Sequence, residues 1–327
     1  MHDQPKSNEE NPGGAAAAGG ARRITAAVET ALLGQRRTIE LAVCTFIAGG
    51  HLLIEDVPGV GKTTLARALA RASGGDFRRI QFTSDMLPAD ITGVAVWSPA
   101  ASEFQFKPGP VFGNVVLADE INRAPAKTQS ALLEAMSERQ VSVDGAPRPL
   151  PEPFMVIATE NAEEHYGTYP LPESQLDRFM MRVSLGYPDP ASERSVVSRP
   201  TLADPVARIT PAITPASFRE LAAAVDAVRV DDAVLDYLMA IVARTRSSRA
   251  LALGVSPRGG MALHRAARAR AVLEGRSYCL ADDVKALAEA VLSHRAIPAG
   301  GSGGGPDGRK AVVLAIREII DSVEIPL

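Results

Sequence analysis

Apolar residues follow two spacings along this chain, and the two spacings divide it. In the first half, short continuous apolar runs recur at His51–Ile54, Val115–Ala118, Phe154–Ala158 and Met180–Leu185. Runs of this kind are the mark of strands buried on both faces of a parallel sheet. Phe77–Phe82 reads as a further strand. Between the runs the spacing turns helical: Ile24, Val28, Ala31 and Leu32, then Ile39, Val43, Phe46 and Ile47, later Leu132, Leu133 and Met136. Strands alternating with helices through residue 186 predict an α/β fold with a parallel, five-stranded sheet sandwiched by helices. Two interruptions read as inserted hairpins. One lies within 83–113, where Phe104 and Phe106 alternate before a Pro108-Gly109 turn. The other turns at Asp144-Gly145, and its return arm carries Pro147, Pro149 and Pro151.

After Gly186-Tyr187-Pro188 the pattern changes. A proline-dotted linker, 188–213, leads into segments with helical spacing only: 215–227, 231–247, 257–274, 281–294 and 310–322. The expected organisation is a flexible tail over 1–23, an α/β core over 24–187, the linker, and an all-α domain over 214–327. The tail expectation rests on its polar start and its alanine-glycine run, which offer little to bury. Gly300–Gly308 reads as a loose loop inside the helical domain.

Bulk properties narrow the function classes. A chain of 327 residues has room for two ordinary domains with proper cores. Its net charge of −3 gives no general electrostatic reason to expect nucleic acid or an anionic membrane as partner. No apolar run approaches the 18 or so residues of a spanning helix, and the N-terminus lacks a secretory pattern. Cys44 and Cys279 each sit inside an apolar helical pattern and read as buried thiols in a reducing compartment. A cytoplasmic enzyme is expected.

The chemistry concentrates at strand ends. After the first run comes Asp56-Val57-Pro58-Gly59-Val60-Gly61-Lys62-Thr63-Thr64, and then helical spacing. Strand, Gly-Lys-Thr loop and helix form the context of a phosphate-binding loop. Gly59 and Gly61 let backbone N–H groups converge on an anion, and the helix N-terminus adds its own. Lys62 would reach the β- and γ-phosphates, and the Thr63 hydroxyl would ligate Mg²⁺. The usual pattern has glycine where this chain has Asp56. The Val115–Ala118 run ends in Asp119-Glu120. There the aspartate can hold Mg²⁺ through water, and the glutamate can deprotonate an attacking water. The Phe154–Ala158 run ends in Thr159-Glu160-Asn161, where Asn161 is either a γ-phosphate contact or a turn-former. Ser256-Pro257-Arg258 opens a helix, with Ser as N-cap and Pro at the first position, and sets Arg258 in the first turn.

Taken together these residues resemble the AAA+ ATPases, and within them the MoxR family. The resemblance covers nearly everything from about Ala27 onward. It is carried by Leu-Leu-Ile-Glu-Asp-Val-Pro-Gly-Val-Gly-Lys-Thr, Leu-Ala-Asp-Glu-Ile-Asn-Arg-Ala, Tyr-Pro-Leu-Pro-Glu-Ser-Gln-Leu-Asp-Arg-Phe and Val-Ser-Pro-Arg-Gly. In that family Glu-Asp before Val-Pro-Gly is usual, which accommodates Asp56. The resemblance implies a P-loop core with a C-terminal helical lid. It makes Asn161 the sensor 1 residue, Arg258 the sensor 2 residue of the lid, and Arg178 an arginine finger inserted into a neighbouring subunit's ATP. A finger acting in trans implies a ring, expected to be a hexamer. The two hairpins resemble insertions of this clade. Around the sensor asparagine the family often has Gln and Pro, where this chain has Glu160 and Ala162. Glu160 is therefore expected to face away from the γ-phosphate.

The expected function is Mg-ATP hydrolysis coupled to chaperone-like remodelling or maturation of a client protein complex, with a von Willebrand A domain protein as a candidate partner. Nucleic acid and membrane insertion are not expected. Two rivals stay open: an assembly scaffold gated by nucleotide with little turnover, and a nucleic-acid or metal-chelatase-type motor subunit on the same fold.

Overall fold

The structure is a computed structural model describing residues 12–160, 168–198, 204–300 and 306–326. In chain order, α1 (Pro12–Ala31) and α2 (Arg36–Ile47) precede β1 (Leu52–Glu55) and α3 (Lys62–Ala72). Next come β2 (Phe77–Gln81), the short α4 (Pro88–Thr92) and a hairpin of β3 (Gly93–Ser98) and β4 (Glu103–Pro108). They are followed by β5 (Val115–Asp119), α5 (Ala126–Glu138) and a second hairpin, β6 (Gln140–Val143) with β7 (Ala146–Pro149). β8 (Met155–Glu160), α6 (Glu173–Leu176) and β9 (Met181–Val183) complete the first half. The second half holds α7 (Pro190–Val197), α8 (Pro215–Ala227), α9 (Asp232–Ser247) and β10 (Leu251–Leu253). It ends with α10 (Pro257–Leu273), α11 (Ala281–Leu292), β11 (Ile297–Pro298) and α12 (Pro306–Ser322).

Five strands form one parallel sheet in the order β2-β5-β8-β1-β9. Side chains alternate across it as strand geometry requires. Leu52, Ile54, Leu117 and Ile157 pack on one face with α1, α2 and α3. Leu53, Val116, Ala118 and Val156 pack on the other with Leu132 and Leu133 of α5. The sheet is thus covered by helices on both faces, which accounts for the continuous apolar runs. Both expected hairpins form, and Arg148 of β7 lies 4.0 Å over the Phe106 ring of β4, joining them. The second half is helical apart from the short antiparallel pairing of β10 with β11.

Two boundary expectations are corrected. Residues 12–23 are not a structureless tail but the first turns of α1, in which Ala17, Ala18 and Ala21 are buried. Ala17, Ala21, Ile24, Val28 and Ala31 make one stripe, and its start escapes notice because alanine carries so little apolar surface. Small side chains let α1 approach closely, and Arg22 then donates to the Leu273 and Glu274 carbonyls at the end of α10. Residues 1–11 lie outside the described segments. The linker is likewise not bare coil: Asp189 caps α7 by accepting from Ala191 N and Ser192 N, and Pro190 takes its first position. The glycine-rich loop falls largely outside the described residues. Cys44 and Cys279 are free and buried as expected, and burial pushes both thiols up to about 12.

Candidate nucleotide-binding site

The loop between β1 and α3 is built around Gly61. Its φ of 103° is left-handed backbone, and it serves as N-cap of α3. Leu65 N bonds the Gly61 carbonyl at 2.9 Å. The amides of Lys62, Thr63 and Thr64 before it are the first-turn donors that a helix cannot satisfy internally. Gly59 is also left-handed, with φ 88°, and has nothing within 4 Å of where a Cβ would stand. Lys62 is buried, and its Nζ donates to the Asp56 carbonyl at 2.6 Å. Desolvation lowers its pKa, while the Asp56, Asp119 and Glu120 carboxylates act to raise it.

Asp56 sits elsewhere than expected. Its Oδ2 accepts from Ser184 Oγ (2.9 Å), Leu185 N (2.6 Å) and Gly186 N (2.7 Å), and its Oδ1 from Val57 N (2.9 Å). With its carboxylate filled by these bonds, Asp56 braces the loop against the end of β9 rather than facing a ligand. A glycine there could not make this brace.

Asp119 ends β5, and Glu120 follows in left-handed backbone with φ 57°. Thr159 of β8 ties the two together: its Oγ1 donates to Asp119 Oδ1 at 2.7 Å and accepts from Glu120 N at 2.8 Å. The other Asp119 oxygen accepts from Arg79 of β2 at 2.6 Å. Glu120 Oε2 meets Arg123 Nε at 3.1 Å and Gln81 Nε2 at 3.0 Å. Thr159, Arg79 and Gln81 escaped the sequence reading. Period-2 alternation from Glu160 was the available signal for Thr159, since it puts Thr159 on the Asp119 face.

Glu160 points to the opposite face, as its strand position requires. It joins Glu55, its register partner on β1, with Arg182 of β9 and Arg309 of α12 nearby. Burial and the Glu55 charge push its carboxyl up to about 7, against the two arginines. Asn161 lies outside the described residues.

Arg178 and Arg258 are not beside this loop. Arg178 lies just before β9, and Met180 N bonds the His51 carbonyl just before β1. That is the N-terminal end of these parallel strands, whereas the Lys62 loop follows the C-terminal end of β1. Arg178 donates to the Leu133 carbonyl of α5 at 2.9 Å and to Ser137 Oγ. Arg258 is exposed at the start of α10, where Ser256 Oγ accepts from Gly259 N as the expected cap. The two arginines share one open cavity of about 350 Å³ with Arg139 and Arg265.

A second cavity, about 510 Å³, opens directly beside the loop. Pro58–Gly61 form one wall, Leu32 and Gln35 of the α1–α2 turn another, and Tyr187 with Val196 and Val197 of α7 a third. Its apolar lining beside polar backbone is the character of a heterocycle-plus-anion site. No sequence motif marks it, because three separated segments contribute to it.

The residues present suit a nucleotide with magnesium. The first-turn amides and Lys62 suit a polyphosphate, and Thr63 with Asp119 offers the sparse oxygen donors that Mg²⁺ takes beside phosphates and water. Among the described residues no helix is long and apolar enough to cross a membrane.

Comparison with known proteins shows the family. Residues 51–181 match the ATPase family associated with various cellular activities (AAA), and residues 243–312 match the AAA lid domain. The chain is 45% identical to the uncharacterized protein YeaC of Bacillus subtilis over 92% of its length and 93% of the relative. It is 38% identical to the chaperone MoxR1 of Mycobacterium tuberculosis, over 90% of its own length and 81% of that protein's. A crystal structure of a candidate ATPase from Cytophaga hutchinsonii superposes with a TM-score of 0.86 at 34% identity, covering 96% of this chain and 97% of the other. The chain therefore belongs to the MoxR family of AAA+ ATPases.

Proposed function

We propose that this protein hydrolyses Mg-ATP at the β1–α3 loop, within a ring in which each subunit's arginines complete the next subunit's site. The observation that carries this reading is that Thr159 Oγ1 ties Asp119 and Glu120 together at the C-terminal end of β5, the same end of the parallel sheet at which the Lys62 loop follows β1, and both carboxylates act on the Lys62 ammonium there. The amides of residues 61–64 and Lys62 bind and orient the β- and γ-phosphates. The cavity lined by Leu32 and Tyr187 takes the adenine. Thr63 and Asp119 would hold Mg²⁺, which supplies charge neutralisation on the phosphates. Glu120 takes the proton of the attacking water, and Asn161 orients that water.

Arg178 lies at the N-terminal strand ends, away from its own loop at the C-terminal end of β1, and shares a cavity with Arg258, which supports action of both in trans on a neighbour's γ-phosphate. An arginine supplied this way is worth on the order of 10³–10⁵ in rate. A closed ring follows, and a hexamer is the form we propose. The nucleotide core then spans 24–187 with α1 extending it, 188–213 joins the two parts, and the lid spans 214–327.

The relative named chaperone MoxR1 supports client remodelling as the use of this turnover. A von Willebrand A domain protein is the partner class to try first, and the cytoplasm the compartment. The test is mixing: Arg178→Ala protein is inactive alone, and adding Lys62→Ala protein restores turnover because it lends intact arginines. No recovery on mixing would remove the trans reading.

A further inference from the structure

The loop that carries Arg178 is held by one buried guanidinium from the lid. Arg295, in the turn after α11, has a side chain only 2% exposed. Its Nε donates to Asp177 Oδ1 at 2.7 Å. Its Nη2 donates to the Asp177 carbonyl (3.2 Å) and the Phe179 carbonyl (2.6 Å), and Nη1 to the Met180 carbonyl (3.1 Å). A single planar group therefore reaches the carbonyls on both sides of Arg178, and His294 Nε2 also lies 3.0 Å from the Phe179 carbonyl. A buried guanidinium needs this many acceptors and a paired carboxylate to be tolerated at all.

Asp177 has a second bond. Its Oδ2 accepts from Ser256 Oγ at 3.2 Å, and Ser256 is the N-cap that sets the first turn of α10, where Arg258 stands. One carboxylate thus reaches both the segment of Arg178 and the helix start of Arg258. Arg258 itself is exposed and forms no hydrogen bond or ion pair among the described residues. Its placement is inherited from that cap rather than from its own contacts.

We propose that Asp177 is a positioning residue: paired with Arg295 and Ser256, it sets the spacing of Arg178 and Arg258 so that both engage a neighbouring subunit's γ-phosphate together. The proposal rests on the trans reading given above. A pre-set pair matters because a misplacement of about 1 Å in a catalytic contact costs roughly 10²-fold in rate. Asp177 touches no nucleotide itself, and its own subunit's loop lies at the other, C-terminal end of the strands.

The experiment compares Asp177→Asn and Asp177→Glu with Arg178→Ala, each alone and mixed with Lys62→Ala protein. Asp177→Asn keeps the shape and removes the charge. Asp177→Glu keeps the charge opposite Arg295 and displaces it by one methylene, so it retains the fold if the neutral variant does not. Both are expected to lose roughly 10²-fold in kcat with KM for ATP within about twofold, since their own phosphate loops are intact. Both are also expected to recover turnover on mixing with Lys62→Ala. Unchanged kcat in both variants overturns the proposal. So does a loss that Lys62→Ala fails to restore while it does restore Arg178→Ala, because the damage then lies within the subunit's own site. If Arg178→Ala itself is not restored, the trans reading fails and takes the clamp with it.

Discussion

Thr159 Oγ1 donates to Asp119 Oδ1 at 2.7 Å and in the same geometry accepts from Glu120 N at 2.8 Å. One hydroxyl thus holds both a carboxylate oxygen of Asp119 and the backbone of Glu120, the residues proposed to hold the metal and to act as general base. Glu120 needs that support because its left-handed backbone, at φ 57°, is costly for a residue with a side chain. Thr159→Val keeps the shape and removes the hydroxyl, taking this partner from a half-buried carboxylate oxygen and an amide. Steady-state turnover is expected to fall roughly 10- to 100-fold, and stability by about 1–3 kcal/mol. Turnover equal to wild type would mean that the hydroxyl positions nothing.

Arg79 occupies the other Asp119 oxygen at 2.6 Å. Its guanidinium competes for the place where Mg²⁺ would be held. Arg79→Ala is expected to lower the magnesium concentration for half-maximal turnover several-fold, by removing that competing cation. A titration of activity against Mg²⁺ reads this directly, and a rise in the half-maximal concentration would contradict it.

The two loop glycines should differ in their tolerance of a side chain. A Cβ at Gly61 would stand 2.7 Å from Leu32 Cδ1, while one at Gly59 meets nothing within 4 Å. Both carry positive φ, so both alanine variants incur backbone strain of about 1–2 kcal/mol. Gly61→Ala adds a clash against the wall of the proposed adenine cavity, so it should also lose ATP affinity. Calorimetric titration that finds Gly59→Ala the weaker binder of the two would contradict the packing argument.

Glu160 should leave a signature in stability against pH. Its folded carboxyl sits at about 7, raised from 4.5 by burial and then by Glu55. The folded state therefore holds its proton more tightly than the unfolded state does. The stability it contributes is complete below about pH 4.5 and lost as pH rises to about 7. His51, lowered to about 4 by burial, and buried His294 act in the opposite direction over the same range, so the readout is a difference between proteins. Glu160→Gln minus wild type is expected to gain stability, by up to about 3 kcal/mol, between pH 5 and pH 8. A flat difference in chemical denaturation midpoints would show that Glu160 is not held protonated.

The sequence displayed the sheet because its inner strands β1, β5 and β8 are buried on both faces, and Leu52–Ile54 or Val115–Ala118 cannot be read as anything amphipathic. It displayed the phosphate loop and the acidic pair because their chemistry needs particular residues at particular strand ends. It could not display the use made of Asp56, whose partners Ser184, Leu185 and Gly186 lie some 130 residues away and meet it only after β9 pairs with β1. Nor could it show that Arg178 and Arg258 share a cavity, since that follows from how the lid seats at the N-terminal ends of β1 and β9. The start of α1 was hidden for an energetic reason, because Ala17 and Ala21 bury so little surface apiece that composition reads as a tail.

The central claim is that Lys62, Asp119 and Glu120 form one hydrolytic centre, and the Glu120→Gln variant tests it most directly. ATP affinity and turnover are measured together, by titration of a fluorescent ATP analogue and by phosphate release. Binding should stay within a few-fold of wild type while turnover falls at least about 100-fold. Turnover that survives the substitution unchanged would contradict the account.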